Sequence, residues 1–216
     1  MSRGEEICEL TIGAPAHGGA CVARDESGRV VFVRHALPGE RVRARIIDRQ
    51  KRMAWAEALE ILEASPDRIS SVWPAAGPGG VGGGELAHVS PEGQRRWKSE
   101  VLLDQLGRIG RDRVMQQVDA IGGVEVRPAP GDEESGSLLG RRTRIECVVD
   151  AEGFLGMRQY RSHKIVRLDS MPLASAQINA LPVWEGNEVF SSLPQGSRVR
   201  LIAPPGGTPV ICTDQG

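Results

Sequence analysis

Over the first third of the chain, apolar and polar positions alternate with a period of two. Arg41-Val-Arg-Ala-Arg-Ile-Ile47 sets arginines on one side and Val42, Ala44 and Ile46 on the other, the pattern of a half-buried strand. Arg29-Val-Val-Phe-Val-Arg34 is a second strand-like run, bounded by turn residues at Asp25-Glu-Ser-Gly28 and Leu37-Pro-Gly-Glu40. Trp55 to Leu62 fits either a strand or a short helix by periodicity, and closure of a small barrel favours strand. Five short strands with a basic outer face, within residues 5–64, predict an OB-like β-barrel, a fold that commonly binds oligonucleotides.

From Ser65 the texture changes to Pro, Ser and Gly. A helix is then signalled by Ser90 as N-cap, Pro91 at the first helical position and Glu92 in the first turn. Trp97, Val101, Leu102, Gln105 and Leu106 recur at helical spacing, and Gly107 or Gly110 is the expected end. Beyond it the pattern turns β-rich: Val114 to Val126, a polar loop from Pro128 to Ser137, and a hairpin formed by Arg142–Val149 and Phe154–Tyr160 across the turn at Asp150–Gly153. Ser162–Leu168 extends that sheet, Ala174–Leu181 suits a short helix, and Arg198–Ile202 is a late strand. The expected fold is mainly β with some α: an OB-like barrel (5–64), a Gly/Pro-rich loop and helix (65–112), and a β-rich central domain (113–216).

The octet Gly77-Pro-Gly-Gly-Val-Gly-Gly-Gly84 contains a formal G-x-G-x-x-G at Gly77, Gly79 and Gly82. Its context refuses a nucleotide site. Pro74 and Pro78 spoil the strand and tight turn, Gly83 and Gly84 break the helix that should receive the pyrophosphate, and no Gly-Lys-Ser/Thr follows. A flexible loop is expected instead.

Charge sharpens the picture more than composition does. The formal net charge is -1, yet residues 29–52 hold eight basic side chains against two acids, and residues 141–167 hold seven against three. Clustered cations on an otherwise acidic chain suit a polyanion, because Lys and Arg displace counterions from phosphates only where they gather. A solvated strand face is the alternative for each island. The candidate RNA-binding residues are Arg29, Arg34, Arg41, Arg43, Arg45, Lys51 and Arg52 in the first island, and Arg142, Arg144, Arg158, Arg161, His163 and Lys164 in the second. Arg95, Arg96 and Lys98 join them, since cations near a helix start oppose its dipole unless an anion lies close. Cys8, Cys21, Cys147 and Cys212 lack the close spacing of a metal knuckle and read as buried thiols. MSRGEEICEL places acids where a signal peptide needs a basic and then an apolar run, so a cytoplasmic location is expected.

Several segments, in order, resemble the bacterial RNA uracil-5-methyltransferase family. His17-Gly-Gly-Ala-Cys-Val-Ala-Arg24, Val31-Phe-Val33 and Ala36-Leu-Pro-Gly-Glu-Arg-Val-Arg43 are similar to its N-terminal TRAM domain; Ala-Leu-Pro-Gly-Glu is the most specific part. Ala87-His-Val-Ser-Pro-Glu-Gly-Gln-Arg-Arg-Trp-Lys98 resembles the segment after the family's iron–sulfur loop. Leu155-Gly-Met-Arg-Gln-Tyr-Arg-Ser-His-Lys-Ile-Val166, with Met171-Pro-Leu, resembles its central domain. The resemblance implies a barrel that binds RNA and a partner that is structured ribosomal or transfer RNA.

Two departures from the family pattern shape the functional expectation. At the four places where the resemblance implies cluster cysteines stand Trp73, Val81, Gly84 and Met171, so no iron–sulfur cluster and no metal are expected. The family's S-adenosylmethionine-binding catalytic domain, a doubly wound unit, has no counterpart in the pattern after Asp112, and Pro-Val-Ile-Cys-Thr-Asp around Cys212 does not match its catalytic cysteine motif. No catalytic residue is therefore assigned, no cofactor is expected in these residues, and the chain alone is expected to be inactive. The leading expectation is the RNA-recognition part of such a methyltransferase. The alternatives are a stand-alone TRAM-type RNA-binding module and a scaffold whose basic islands meet an acidic protein.

Overall fold

The computed structural model describes residues 6–132, 136–186 and 188–214. Glu5 and Gly216, the outer bounds of the expected domains, lie outside the described residues, as do residues 133–135 of the expected polar loop. The chain divides into two compact units: residues 1–71 with 85–134, and residues 72–84 with 135–216. The stretch expected as one linker is thus shared, its glycine loop going to the second unit and its helix to the first.

The first unit is built on strands β1 (Ile7–Thr11), β2 (Ala20–Arg24), β3 (Val30–Arg34), β4 (Arg41–Arg49) and β5 (Met53–Glu63) in the order β1-β4-β5-β3-β2. β3 and β5 run parallel and the other pairs are antiparallel. After β1 the chain turns onto β2, with the Gly13 N–H donating to the Val22 carbonyl at 2.8 Å and the Val22 N–H to the Ala14 carbonyl at 2.9 Å, which curls the sheet into a barrel. The expected alternation holds: Val31, Val33, Val42, Ala44, Ala54 and Ala56 face the core. Trp55–Leu62 is strand, as barrel closure required.

The Ala36-Leu-Pro-Gly-Glu40 motif is a structural lock. Gly39 adopts a φ of 82°, a left-handed turn conformation natural to glycine, and delivers Glu40 into the interior. There the carboxylate, 0% exposed, accepts from the Leu37 N–H at 2.8 Å and the Ser65 N–H at 3.1 Å. Arg68 clamps it with Nε at 2.6 Å and a terminal nitrogen at 2.7 Å. A buried charge is tolerable only when paired and fully hydrogen-bonded, and both conditions are met here.

Helix α1 (Pro91–Ala120) starts as expected, the Ser90 hydroxyl accepting from the Gly93 N–H at 3.1 Å. Val89 and Trp97 enter the barrel's core cluster. The helical run breaks at Arg111, where φ is 50° and ψ is -156°, one residue after the expected stop at Gly110. It then resumes, which corrects the β-rich expectation for Val114–Val126: residues up to Ala120 are helical. Val114 and Val118 recur at a four-residue interval that suits a helix, but the same even spacing also suits a strand face, so periodicity alone did not separate the two.

The second unit holds strands β6 (Arg144–Val149), β7 (Leu155–Arg158), β8 (Ile165–Arg167), β9 (Arg198–Ile202) and β10 (Val210–Thr213), in the order β10-β9-β6-β7-β8 and antiparallel throughout. Single helical turns at Ala176–Asn179 and Glu188–Ser191 accompany the sheet. Of these, the helical turn at Glu188–Ser191 and β10 had no sequence signal. The glycine octet is not a free loop. Val81 is 1% exposed and bridges to Gln159, whose side-chain amide donates to the Gly79 carbonyl at 2.8 Å. Trp73 stands against Gly84, where an added Cβ would lie 2.7 Å from the indole Cε3. Among the described residues no doubly wound sheet occurs, and no helix is long and apolar enough to cross a membrane.

Candidate nucleic-acid interface

The barrel's basic strand meets acids from both neighbours. Register places Glu9 of β1 opposite Arg43 of β4, and Arg41, Arg43 and Arg45 opposite Glu63, Glu60 and Glu57 of β5. Arg41 reaches Glu63 at 2.9 Å and Glu9 at 3.4 Å; Arg43 reaches Glu60 at 2.9 Å and Glu9 at 3.2 Å. Arg45 lies 3.3 Å from Glu57, and Arg49 pairs with Glu6. The hydrogen bond to Glu9, with the nearby Glu60 and Glu9 charges, raises the Arg43 pKa above its ordinary value. The β4 part of the first island is therefore a charge-matched ladder, and a phosphate approaching it must displace a carboxylate.

Other expected contacts are spoken for within the first unit. Arg34 is corrected outright: it is 2% exposed, with guanidinium nitrogens 3.8 Å from Glu57 and 3.7 Å from Glu85, and its surface is closed to a ligand. Arg29 is half-buried with Asp25 at 4.0 Å. At the helix start, Arg95 pairs with Glu92 at 2.9 Å and Arg96 with Asp67, so two of the three cations have internal anions. Lys98 is exposed, as are Lys51 and Arg52 in the tight turn between β4 and β5.

Beside Glu57 lies a pair of histidines that the sequence did not single out. His35 and His88 are buried with ring centroids 6.0 Å apart, and neither Nε2 has a hydrogen-bond partner. Burial, with the Arg34, His88 and Arg68 charges, lowers the His35 pKa to about 3; burial and Arg68 lower that of His88 to about 4. Both are neutral structural rings at neutral pH.

The second sheet differs. Ile145, Cys147, Val199 and Leu201 face its core, while Arg144, Glu146, Arg198 and Arg200 are exposed on the other side. The register pairs Glu146 with Arg200, Val148 with Arg198 and Gly156, Gly156 with Arg167, and Arg158 with Ile165. Because paired residues share a face and alternate residues return to it, Arg144, Arg158, Arg167, Arg198 and Arg200 stand on one face with two acids, Glu146 and Asp214, the latter just past β10 and accepting from the Arg198 N–H at 3.2 Å. Glu146 accepts from Arg200 at 2.9 Å and lies 3.8 Å from Arg198. Among the described residues, Arg144, Arg158 and Arg167 form no ion pair with a carboxylate. Arg167 lies over the Phe154 ring, 3.1 Å from its centroid.

The turn between β7 and β8 adds Arg161, His163 and Lys164, all exposed. Arg161 adopts a φ of 53° and lies over the Tyr160 ring at 5.7 Å. A terminal nitrogen of Arg158 lies 3.3 Å from His163 Nδ1; a guanidinium only donates, so that ring nitrogen accepts. The Tyr160 N–H donates to the Gly80 carbonyl at 3.2 Å, fixing this tip to the glycine loop. Arg142 donates to the Gly83 carbonyl at 3.4 Å, and with Arg141, Arg144 and Pro204 it lines a groove of about 560 Å³.

Thus the sheet assembles Arg144 and Arg158 from the expected set and adds Arg167, Arg198 and Arg200, which were not expected as contacts. The Arg-Val-Arg alternation of β9 was the available signal. Of the thiols, Cys21 and Cys147 are buried, and burial raises both pKa values, that of Cys147 to about 12. Cys8 and Cys212 are half-buried. Trp73, Val81 and Met171 are 3%, 1% and 1% exposed and offer no thiolate, so these positions do not fit an iron–sulfur cluster.

Residues 3–59 match the TRAM domain model. The chain is 40% identical over 207 residues to an uncharacterized RNA methyltransferase of Streptomyces avermitilis, covering 92% of this chain and 47% of that protein. It is 35% identical over 207 residues to the 23S rRNA (uracil(1939)-C(5))-methyltransferase RlmD of Halomonas elongata, covering 94% of this chain and 40% of that one. Over nearly its whole length the chain is thus similar to RNA methyltransferases, a uracil-5-methyltransferase among them. It spans about half the length of the curated relatives it matches. A fold likeness extends to the crystal structure of Pyrococcus abyssi tRNA (uracil-54, C5)-methyltransferase in complex with S-adenosyl-L-homocysteine, at a TM-score of 0.53 and 18% identity, covering 94% of this chain and 44% of that one.

Proposed function

We propose that these residues are the RNA-recognition part of an S-adenosylmethionine-dependent RNA uracil-5-methyltransferase, binding structured ribosomal or transfer RNA, with methyl transfer and S-adenosylmethionine binding carried by sequence outside them and without an iron–sulfur cluster. The observation that carries this reading is the second sheet's open face, five arginines against Glu146 and Asp214 on an antiparallel scaffold. Cations that stand unneutralised on a fixed surface exchange condensed counterions for phosphates, which gives affinity and a steep salt dependence. The turn cations Arg161 and Lys164 extend that surface beyond the sheet edge, and His163 adds a hydrogen-bonding ring. A cytoplasmic location goes with such a substrate.

The test is fluorescence anisotropy of the 216-residue chain with a labelled RNA hairpin across a salt series. Affinity is expected to fall steeply with salt, with a log–log slope lowered by about 0.7 to 0.9 for each phosphate contact removed. Binding indifferent to salt overturns the reading. Iron analysis of anaerobically purified protein tests the cluster: stoichiometric iron and sulfide would refute its proposed absence.

A further inference from the structure

Four of the chain's seven Phe and Trp residues, Trp73, Trp97, Trp184 and Phe190, are buried in cores. Phe32 and Trp55 are not. They stack on each other across β3 and β5, ring centroids 5.0 Å apart and planes 26° from parallel. The register explains their setting. Val22, Phe32, Trp55 and Asp48 form one row across four strands, and Arg24, Val30 and Met53 form the next. Val22, Val30, Phe32, Met53 and Trp55 are all half-exposed, while their alternates Val31, Val33, Ala54 and Ala56 fill the barrel. The row on the other side, Arg34 and Glu57, is buried where Glu85 and His35 cover it. An aromatic and aliphatic strip is therefore left open at one end of the face.

Cations rim this strip. Lys51 and Arg52 immediately precede Met53 on the strand that carries Trp55, both exposed, and form no ion pair among the described residues. Arg24, exposed in the Met53 row, donates to the Gly28 carbonyl at 2.9 Å. Half-exposed aromatic rings beside unneutralised cations are the combination that holds single-stranded nucleic acid, the rings taking the bases and the cations the backbone. The strip borders the β4 ladder at the Glu57 row, which is buried.

We propose that the Phe32–Trp55 pair is a stacking platform for an unpaired base of the bound RNA, with Lys51 and Arg52 holding the adjoining phosphates. This rests on the RNA-binding reading above. The experiment compares binding of the 216-residue chain to a single-stranded oligoribonucleotide of about ten nucleotides and to an abasic oligomer of equal length. The expected result is a preference of about tenfold for the base-bearing oligomer that Trp55→Leu and Phe32→Leu abolish while abasic binding and its salt slope persist. Photo-crosslinking of wild-type chain to the oligomer carrying 5-iodouridine covers the case in which a variant fails to fold: adducts at Phe32 or Trp55 support the platform, and adducts confined to the second unit overturn it. Undiminished preference in both folded variants also overturns it and leaves the RNA-binding reading standing. Failure of wild-type chain to bind either the hairpin or the oligomers removes both.

Discussion

The two basic islands look alike in sequence and are opposite in structure. In the barrel, arginines of β4 lie between glutamates of β1 and β5, so charge cancels across the sheet. On the second sheet, β6, β7, β8 and β9 bring arginine beside arginine, and among the described residues Glu146 and Asp214 answer five of them. The first arrangement stabilises a surface. The second keeps a surface attractive to phosphate. What separates them is the sign of the neighbouring strand, and a run of basic residues carries no information about that.

The comparison breaks most visibly at its buried extreme. Glu40→Ala strands the Arg68 guanidinium and is expected to lower stability by about 3 to 5 kcal/mol in chemical denaturation. A loss below 1 kcal/mol would show that the Ala-Leu-Pro-Gly-Glu motif is not the lock described. Lowering the pH tests the same buried network. His35 and His88 have folded pKa values below their unfolded value, so the unfolded chain takes up protons first; their contribution is complete above about pH 6.5 and is lost as pH falls toward 4 and 3. At pH 5 each ring costs on the order of 2 kcal/mol, and His88→Gln should flatten the decline.

Next in size is the effect on the open face. Changing Arg144, Arg158 and Arg198 together to Gln should weaken hairpin RNA binding by about tenfold or more at low salt and reduce the salt slope by about 2. Thermal stability should stay within about 0.5 kcal/mol of wild type, since surface changes of this kind rarely exceed that. The smallest expected effect sharpens the contrast: Arg43→Gln removes one solvent-screened rung of the ladder, barely changes stability in chemical denaturation, and leaves RNA affinity and its salt slope unchanged. Equal losses of RNA affinity from Arg43→Gln and from the triple variant would erase the distinction between the two faces.

Much of the fold was legible because local pattern reports local geometry. The alternation in Arg41–Ile47, the turn at Asp25–Gly28 and the cap at Ser90 each involve residues a few positions apart, and each appears where expected. The stretch after Gly110 did not read correctly, because a helix interrupted at one residue resembles a helix that has ended. β10 was missed for another reason: Val210–Thr213 is short, half-exposed, and strand only because β9 lies beside it. The glycine octet looked flexible since its anchors, Gln159 and Tyr160, lie about 80 positions away.

The sequence by itself determined the barrel strands, the capped helix and the likeness to RNA methyltransferases, because side-chain alternation, capping chemistry and motif order are properties of consecutive residues. It also determined how many cations each segment carries. Only the tertiary structure decided which of them meet a carboxylate, buried Arg34, gathered Arg144, Arg158, Arg167, Arg198 and Arg200 on one face, and set Phe32 against Trp55. Each of those outcomes depends on strand order and register, which join residues tens of positions apart, and electrostatic neutralisation is a matter of ångströms between side chains and not of distance along the chain.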